Sequence, residues 1–469
     1  MSRNKKKIVL KDVLVADYAA EGKSLARLDG KVIFLDNAVP GDVVDIQLTK
    51  NKKDWAEGHI IHFQQYSSDR LEPFCSHFGI CGGCQWQMLP YKKQLFYKQQ
   101  QVAETLKRIA KVPLPEMQPI LGADQQTGYR NKIEYTFSNR RFLLAQDLHN
   151  PTVSAIQNVA GFHAKGIFDK VVDIETCYLQ EEPTNRIRHE IKNWAIGRNL
   201  SFYDIRIHQG WLRTMQVRIC LTGEIMVNLV FGFDDELNRL ALLNHLLETF
   251  PQITTLIYTI NTKWNDSLYN LNPQTFSGKG YVVERLEDFQ FKIGPKSFFQ
   301  TNSVQAEKLY TVARDYAELN GSDIIYDLYC GTGSIGIFCS HSSAKVIGVD
   351  IVEEAIEDAR QNAAFNGIDH AQFFAGDVIS VCTQEFFHQH GRPDVIITDP
   401  PRAGMHEDLV KKIMEMEASR VVYVSCNPAT QARDLSRMTE KYEVCRIQPV
   451  DMFPHTHHIE NIVQLKLKR

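Results

Sequence analysis

The chain holds 469 residues, 43% of them hydrophobic and 23% charged, with ten cysteines and a net charge of −3. At about 100–200 residues per domain it is too long for one core, and its composition is that of an ordinary globular protein. No apolar run approaches the roughly 18–20 residues that span a bilayer, and the basic start MSRNKKKIVLKDVLV lacks a signal-peptide core, so the expected location is cytoplasmic, with no membrane partner.

The front of the chain is basic. Residues 1–111 hold 18 Lys and Arg against 12 Asp and Glu, and the remainder is acidic. A basic front on an acidic body fits RNA binding through one face, and it fits a plainly solvated surface equally well. From about Lys7 to Phe63 short apolar strands alternate with Gly, Asp and Pro-Gly turns, which predicts a small β-barrel over residues 1–66. EGKSLAR followed by KVIFLDNAVPGDVV resembles the TRAM domain, an OB-like RNA-binding module.

Residues 67–290 form an expected central α+β domain. Its first feature is CSHFGICGGC (75–84), in which Cys75, Cys81 and Cys84 follow a C-x5-C-x2-C spacing. In reducing surroundings such a cluster points to a metal centre or to catalysis, and a fourth ligand is needed. Cysteine-only ligation suits a structural zinc or an iron–sulfur cluster. Next, YKKQLFYKQQQVAETLKRIA predicts a helix from Tyr91 to Ala110, with the apolar residues at 95, 96, 102, 106 and 109 grouped on one face. GYRNKIEYTF (128–137) sets Arg130 and Lys132 between aromatics, as an RNA-facing or a simply amphipathic strand would. MQVRIC and IMVNLVF read as further strands.

Over residues 291–469 apolar strands alternate with helical segments: DIIYDLYC, AKVIGVD, AQFFAGD, PDVIITDPP, RVVYVSCNP and IENIVQLKL. This alternation predicts a Rossmann-like α/β domain with a mostly parallel, doubly wound sheet and ligands at the carboxyl ends of its strands. GTGSIG (331–336) satisfies G-x-G-x-x-G, which serves both dinucleotide-binding and methyl-donor folds. Asp327, Asp350, Asp377 and Asp399 close four successive strands. A row of carboxylates repels a pyrophosphate and welcomes the cationic amino-acid group of S-adenosylmethionine.

RVVYVSCNPAT brings Cys426 to another strand end, where an exposed thiolate is a strong nucleophile once a positive charge lowers its pKa. In MFPHTHHIENIVQLKL, Glu460 opens the last strand beside His455, His457 and His458. The acid is a plausible general base. HTHH lacks further metal ligands and reads as scaffold.

FFQTN, DLYCGTGSIG, DPPRAG, SCNP and PHTHHIE, in that order, resemble the RNA 5-methyluridine methyltransferase family, and the TRAM-like front and cysteine loop make the 23S ribosomal RNA (uracil-5-)-methyltransferases the nearest branch. The resemblance implies S-adenosylmethionine as methyl donor, RNA as partner with no obligatory protein partner, Cys426 as nucleophile and Glu460 as base. It implies cofactor contacts from Gln300, Tyr329, Ser334, Asp350, Asp377 and Asp399, and substrate contacts from Phe298, Arg130 and Lys132. Many relatives have Asn where Ser334 stands and Glu where Asp350 stands. The DPPRAG motif carries Arg402 where amino-methylating enzymes place an aromatic residue. In the family the cysteine loop binds a 4Fe-4S cluster with a distant fourth cysteine, here Cys177 in DIETCYLQ, while Cys220, Cys330, Cys339, Cys382 and Cys445 are left to packing. The rival readings are a transfer RNA (uracil-5-)-methyltransferase, a non-catalytic iron–sulfur RNA-binding protein, and an NAD-dependent oxidoreductase.

Overall fold

The structure, a computed structural model, describes residues 8–144, 147–148, 150 and 153–469. The basic stretch at 1–7 lies outside the described residues. Five strands, β1 (Val9–Tyr18), β2 (Ser24–Leu28), β3 (Lys31–Leu35), β4 (Val43–Asn51) and β5 (Trp55–Gln65), close into a barrel in the order β1-β2-β3-β5-β4. Period-2 alternation turns Val13, Val15, Ala26, Ile33, Leu35, Val44 and Ile46 inward as its core. The Pro-Gly-Asp turn is anchored from below: fully buried Asp42 accepts from the Val39 amide at 2.7 Å and the Ser67 amide at 2.8 Å, and pairs with Arg70 at 2.6 Å.

Helix α1 (Tyr91–Thr105) follows, and its last turn, Leu106–Ala110, winds as a π-helix and ends on Lys111 in the left-handed region. The residues it buries are Gln94, Lys98, Val102, Leu106 and Ala110, whereas Phe96 and Ile109 face outward. The face expected from apolar spacing is therefore rotated. Two polar residues take inner positions because partners near the C-terminus satisfy them. Gln94 Oε1 accepts from the His455 amide at 2.8 Å while its Nε2 donates to the nearby Trp86 and Leu89 carbonyls at 3.0 and 2.8 Å, and Lys98 Nζ donates to Asp451 at 2.6 Å.

The central domain is a seven-stranded sheet, ordered β12-β11-β10-β9-β6-β7-β8. Its strands are β6 (Lys132–Arg140), β7 (Ile156–His163), β8 (Val171–Asp173), β9 (Leu212–Ile219), β10 (Ile225–Phe231), β11 (Thr255–Ile260) and β12 (Gln274–Ser277), with helices α2 (Thr184–Gly197) and α3 (Glu236–Thr249) between them. A hairpin, β13 (Val282–Leu286) and β14 (Phe289–Ile293), leads to helix α4 (Ser303–Ala317).

The last domain repeats strand and helix: β15 (Ile324–Leu328), α5 (Ser334–Cys339), β16 (Lys345–Asp350), α6 (Glu353–Phe365), β17 (Ala371–Ala375), α7 (Val378–Val381), α8 (Gln384–His390), β18 (Val395–Thr398), α9 (Glu407–Met416), β19 (Arg420–Ser425), α10 (Pro428–Met438), β20 (Tyr442–Val450) and β21 (Glu460–Leu467). Its sheet runs β17-β16-β15-β18-β19-β21-β20. Neighbours from β17 to β19 pair parallel, and β21 alone runs against both β19 and β20. Near-continuous Val and Ile in β15, β16, β18 and β19 suit a sheet covered on both faces. The edge of β14 is capped by side chains of α6 and of its C-cap: the Gln290 amide donates to Asn366 and the Lys292 amide to Asn362, each at 2.8 Å. Among the described residues no helix is long and apolar enough to cross a membrane.

Candidate active site

The reversed direction of β21 builds the site. A strand antiparallel to its neighbours begins where they end, so Glu460, its first residue, comes to the carboxyl edge of the sheet. Ser425 of β19 stands opposite Asn461 of β21, which sets Cys426 beside Glu460. Cys426 is half-buried and Glu460 nearly fully buried. Burial, with the Glu460 and Asp399 charges adding to it and Arg402 opposing them, pushes the Cys426 thiol up to about 11. Burial also raises Glu460 well above the carboxylate range, with Asp399 adding to the rise and Arg402 working against it. The two acids thus compete for one negative charge.

The Asn-Pro turn after Cys426 fastens the neighbouring loop. Asn427 caps α10 through a bond from the Ala429 amide at 3.1 Å, and its Nδ2 donates to the Arg402 carbonyl at 3.0 Å. Arg402 Nη2 lies 3.4 Å from His458 Nδ1. In the same loop Gly404 has φ +74, and a side chain there would run into Thr430 and Arg433 at 2.8 and 2.7 Å. Only glycine fits that turn.

Two of the four acids, Asp327 and Asp350, engage the glycine loop. Asp327 lies within β15, 1% exposed, and accepts from the Gly336 amide at 2.8 Å. The expected role of Asp327 at the strand tip is therefore corrected: its carboxylate sits beneath the loop and holds α5 against the sheet. Its burial, with Asp399 and Asp350 nearby, raises it to about 7. Asp350 accepts from the Gly331 and Val352 amides, both at 2.9 Å. Asp377 is exposed and caps α7 through the Ile379 amide at 3.0 Å. Asp399 is also raised to about 7 by burial. Tyr329 starts the loop at φ +63, an uncommon conformation for a side-chain-bearing residue. Ser334 shares a hydrogen bond with Tyr310 at 2.9 Å.

Phe298 is 68% exposed, whereas Gln300, two residues on, is 8% exposed. Sequence reasoning missed what holds this segment. Asn131 Nδ2 donates to the Gln300 carbonyl at 2.9 Å and to Ser303 Oγ at 2.7 Å, while its amide donates to the Thr301 carbonyl at 2.8 Å. Arg218 in turn donates to Asn131 Oδ1 at 3.1 Å. GYRNKIEYTF thus clamps the 298–302 segment to the central sheet. The only signal in the sequence was an amide in a basic aromatic strand.

Arg130 and Lys132 do not stand free on the surface. Both line a cavity of about 460 Å³ together with Cys75, Cys81, Cys84 and Cys177, and the Arg130 guanidinium lies 5.3 Å from the centre of the Phe453 ring. Burial raises all four thiols, Cys81 to about 11 and Cys84 to about 12, and the thiols of Cys75 and Cys177 add to both. Asn185 holds Cys177 in place, accepting from its amide at 2.8 Å. Among the described residues no three or more His, Cys, Asp or Glu close around a point as a single metal ion requires. Of the other cysteines, Cys220, Cys330, Cys339 and Cys382 are buried, and Cys445 is half-buried at a bulge in β20.

The three histidines act as a hub. The His455 carbonyl accepts from the Gln85 and Trp86 amides at 2.8 and 3.0 Å, and His457 Nδ1 lies 2.7 Å from Gln85 Oε1. Trp86 Nε1 donates to the Gly22 carbonyl at 3.2 Å. Barrel, cysteine loop and the entry to β21 therefore meet at this segment.

Profiles of two families match the chain: tRNA (Uracil-5-)-methyltransferase over residues 273–468 and TRAM domain over residues 10–61. A protein of Bacteroides thetaiotaomicron described as an uncharacterized RNA methyltransferase is 50% identical over 96% of this chain and 100% of its own length. One of Porphyromonas gingivalis with the same description is 47% identical over 96% of this chain and 98% of its own. Among solved structures, the Pyrococcus abyssi tRNA (uracil-54, C5)-methyltransferase in complex with S-adenosyl-L-homocysteine superposes with a TM-score of 0.75. It is 28% identical, covering 97% of this chain and all of its own.

Proposed function

Since the chain belongs to the family of S-adenosylmethionine-dependent RNA (uracil-5-)-methyltransferases, we propose that it methylates carbon 5 of a uridine in 23S ribosomal RNA, with Cys426 as nucleophile and Glu460 as base. The observation that carries the roles is the antiparallel register of β19 and β21, which seats a thiol beside a buried acid at the cofactor edge.

The acid row fits S-adenosylmethionine. Asp399 and Glu460 both sit above the usual carboxylate range for want of solvent, and a bound cation would relieve their repulsion. Asp350, Asp377 and Asp399, with Gln300, Tyr329 and Ser334, are the residues to hold it, and the group supplies an electrophilic methyl. Cys426 Sγ bonds to uracil carbon 6, sending the ring double-bond electrons toward the carbon 4 oxygen. Carbon 5, now nucleophilic, takes the methyl group, whose bond to the donor sulfur breaks so that S-adenosylhomocysteine is left. Glu460 then takes the carbon 5 proton, the released electron pair re-forms the double bond, and the sulfur–carbon bond breaks to free Cys426. Phe298, exposed at the rim, offers a face for the extruded base.

The electrostatics give a direct check. At the alkaline pH where the Cys426 thiol ionises, the Glu460 charge opposes the thiolate and Arg402 favours it. Iodoacetamide alkylation of Cys426, resolved by peptide mass spectrometry over a pH series, therefore moves to lower pH in Glu460→Gln and to higher pH in Arg402→Met. Unmoved profiles in both would remove these groups from the nucleophile's environment.

Cys75, Cys81, Cys84 and Cys177 are assigned to a 4Fe-4S cluster, supported by their common cavity and cysteine-only chemistry. Cys177→Ser, purified anaerobically, loses most of the visible absorbance and iron content. Full retention of iron would defeat the assignment.

For the substrate, the barrel, cysteine loop and catalytic motifs together resemble the ribosomal branch. The Pyrococcus abyssi structure spans nearly the whole chain, so domain content does not separate a ribosomal from a transfer RNA substrate. Methyl-labelled S-adenosylmethionine with unmodified 23S RNA and, separately, transfer RNA, followed by nucleoside analysis, decides. Label in 5-methyluridine from 23S RNA alone establishes the proposal, and label from transfer RNA alone replaces it.

A further inference from the structure

The far end of the central sheet carries an open hollow of about 600 Å³ with no part in the chemistry above. Strand β6 links the two places: Lys132 at its start lines the cysteine cavity, and Arg140 at its end pairs with Asp204 of the hollow at 2.7 Å. At about 3.4 Å per residue they lie roughly 27 Å apart.

The hollow has an apolar end and a polar wall. Ile207 and Phe233, 59% and 47% exposed, form the first, and Ser201, Gln209, Thr262 and Asn139 the second. The Ser201 hydroxyl already accepts from the Trp211 amide at 3.0 Å, so its proton is free to be donated. Beside the hollow, His208 and Trp264 stack with ring centres 4.9 Å apart and planes 5° from parallel. Tyr203 lies 3.3 Å from His208 Nδ1, and Arg213 packs over the Tyr203 ring at 4.1 Å, so the imidazole is braced from behind. Trp264 remains 75% exposed.

A braced, solvent-facing indole next to a small hollow with a free hydroxyl donor has the makeup of a base-stacking site. Of the cations close by, Arg140 pairs with Asp204 and Arg206 with Asp169, while Lys263, next to Trp264, donates to the Tyr269 carbonyl at 2.6 Å, so the recognition rests mainly on stacking. A protein interface would call for a larger, drier patch. We propose that the exposed His208–Trp264 stack beside this hollow binds a second, unpaired nucleobase of the RNA substrate, with Trp264 stacking on its face. The proposal rests on RNA being the substrate and not on which RNA it is.

Intrinsic fluorescence tests it without methyl transfer. A mixed-sequence single-stranded oligoribonucleotide quenches the tryptophan emission of the full-length protein. The quench survives Trp55→Phe in the barrel and largely disappears in Trp264→Ala. The affinity for that oligonucleotide falls about five- to tenfold in Trp264→Ala and in His208→Ala, with S-adenosylhomocysteine binding unchanged. An undiminished affinity in both variants, or a quench that persists without Trp264, overturns the assignment. Loss of methyl transfer by the unaltered protein on every RNA would strike the proposed reaction instead, leaving this binding result to stand by itself.

Discussion

Replacing Cys426 by Ala abolishes methyl transfer, by roughly 10⁴-fold or more, whereas replacing Glu460 by Gln leaves the protein joined to methylated RNA. The two outcomes differ because the residues act at opposite ends of one sequence. Without the sulfur no electrons enter the ring, so carbon 5 never becomes nucleophilic. Without the carboxylate the addition still proceeds and the methyl still arrives, but the carbon 5 proton has no acceptor and the sulfur cannot leave. Glutamine keeps the shape and hydrogen-bonding reach of Glu460 in a site that is 6% exposed, so collapse of the site does not account for the block. It also removes the charge that Asp399 repels, easing rather than worsening the local electrostatics. On a denaturing gel Glu460→Gln accumulates a slow-migrating protein–RNA band labelled from the methyl donor. Cys426→Ala shows none, yet binds S-adenosylhomocysteine and keeps its visible absorbance. A labelled band in Cys426→Ala, or none in Glu460→Gln despite single-turnover methylation, would reverse or dissolve these roles.

How far this site could be read from sequence depends on what each residue answers to. Strand-end residues answer to local patterning: Val- and Ile-rich runs closed by Asp399, Cys426 or Asp350 announce the sheet edge, because a parallel strand must end before its helix begins. The direction of β21 was not legible, since an apolar run reads alike in both senses, yet that direction makes Glu460 a neighbour of Cys426. Helix α1 shows the opposite case. Apolar spacing selected Phe96 and Ile109 for its inner face, and both are exposed. The inner positions belong to Gln94 and Lys98, whose partners lie about 350 residues away in the chain. No local pattern encodes a buried polar residue whose cost is met by a distant one. Asn131 was hidden for the same reason, as its hydrogen bonds run to a segment some 170 residues away.

That distant pairing carries the largest stability effect expected outside the chemistry. Lys98 and Asp451 are both fully buried, with Nζ 2.6 Å from the carboxylate, and Lys98 also donates to the Phe453 carbonyl at 3.1 Å. Tyr91 OH donates to the other oxygen of Asp451 at 2.7 Å. Burial lowers the Lys98 pKa and Asp451 opposes the fall, so the ammonium depends on its partner to stay charged. Lys98→Met removes one charge and leaves the other in an apolar interior, at a cost of about 3–5 kcal/mol. The damage should concentrate where α1 meets residues 451–457, the stretch that carries the histidine hub into β21. Heating or protease then releases α1 and the cysteine loop before the methyltransferase sheet unfolds. Adding Asp451→Asn to Lys98→Met restores much of the loss, because the orphaned charge is gone while the amide can still accept from Tyr91. Thermal melts with limited proteolysis of both variants read this out. If Lys98→Met melts with the unaltered protein, or the double variant is the weaker of the two, the pair does not tie the cysteine loop to the catalytic strand.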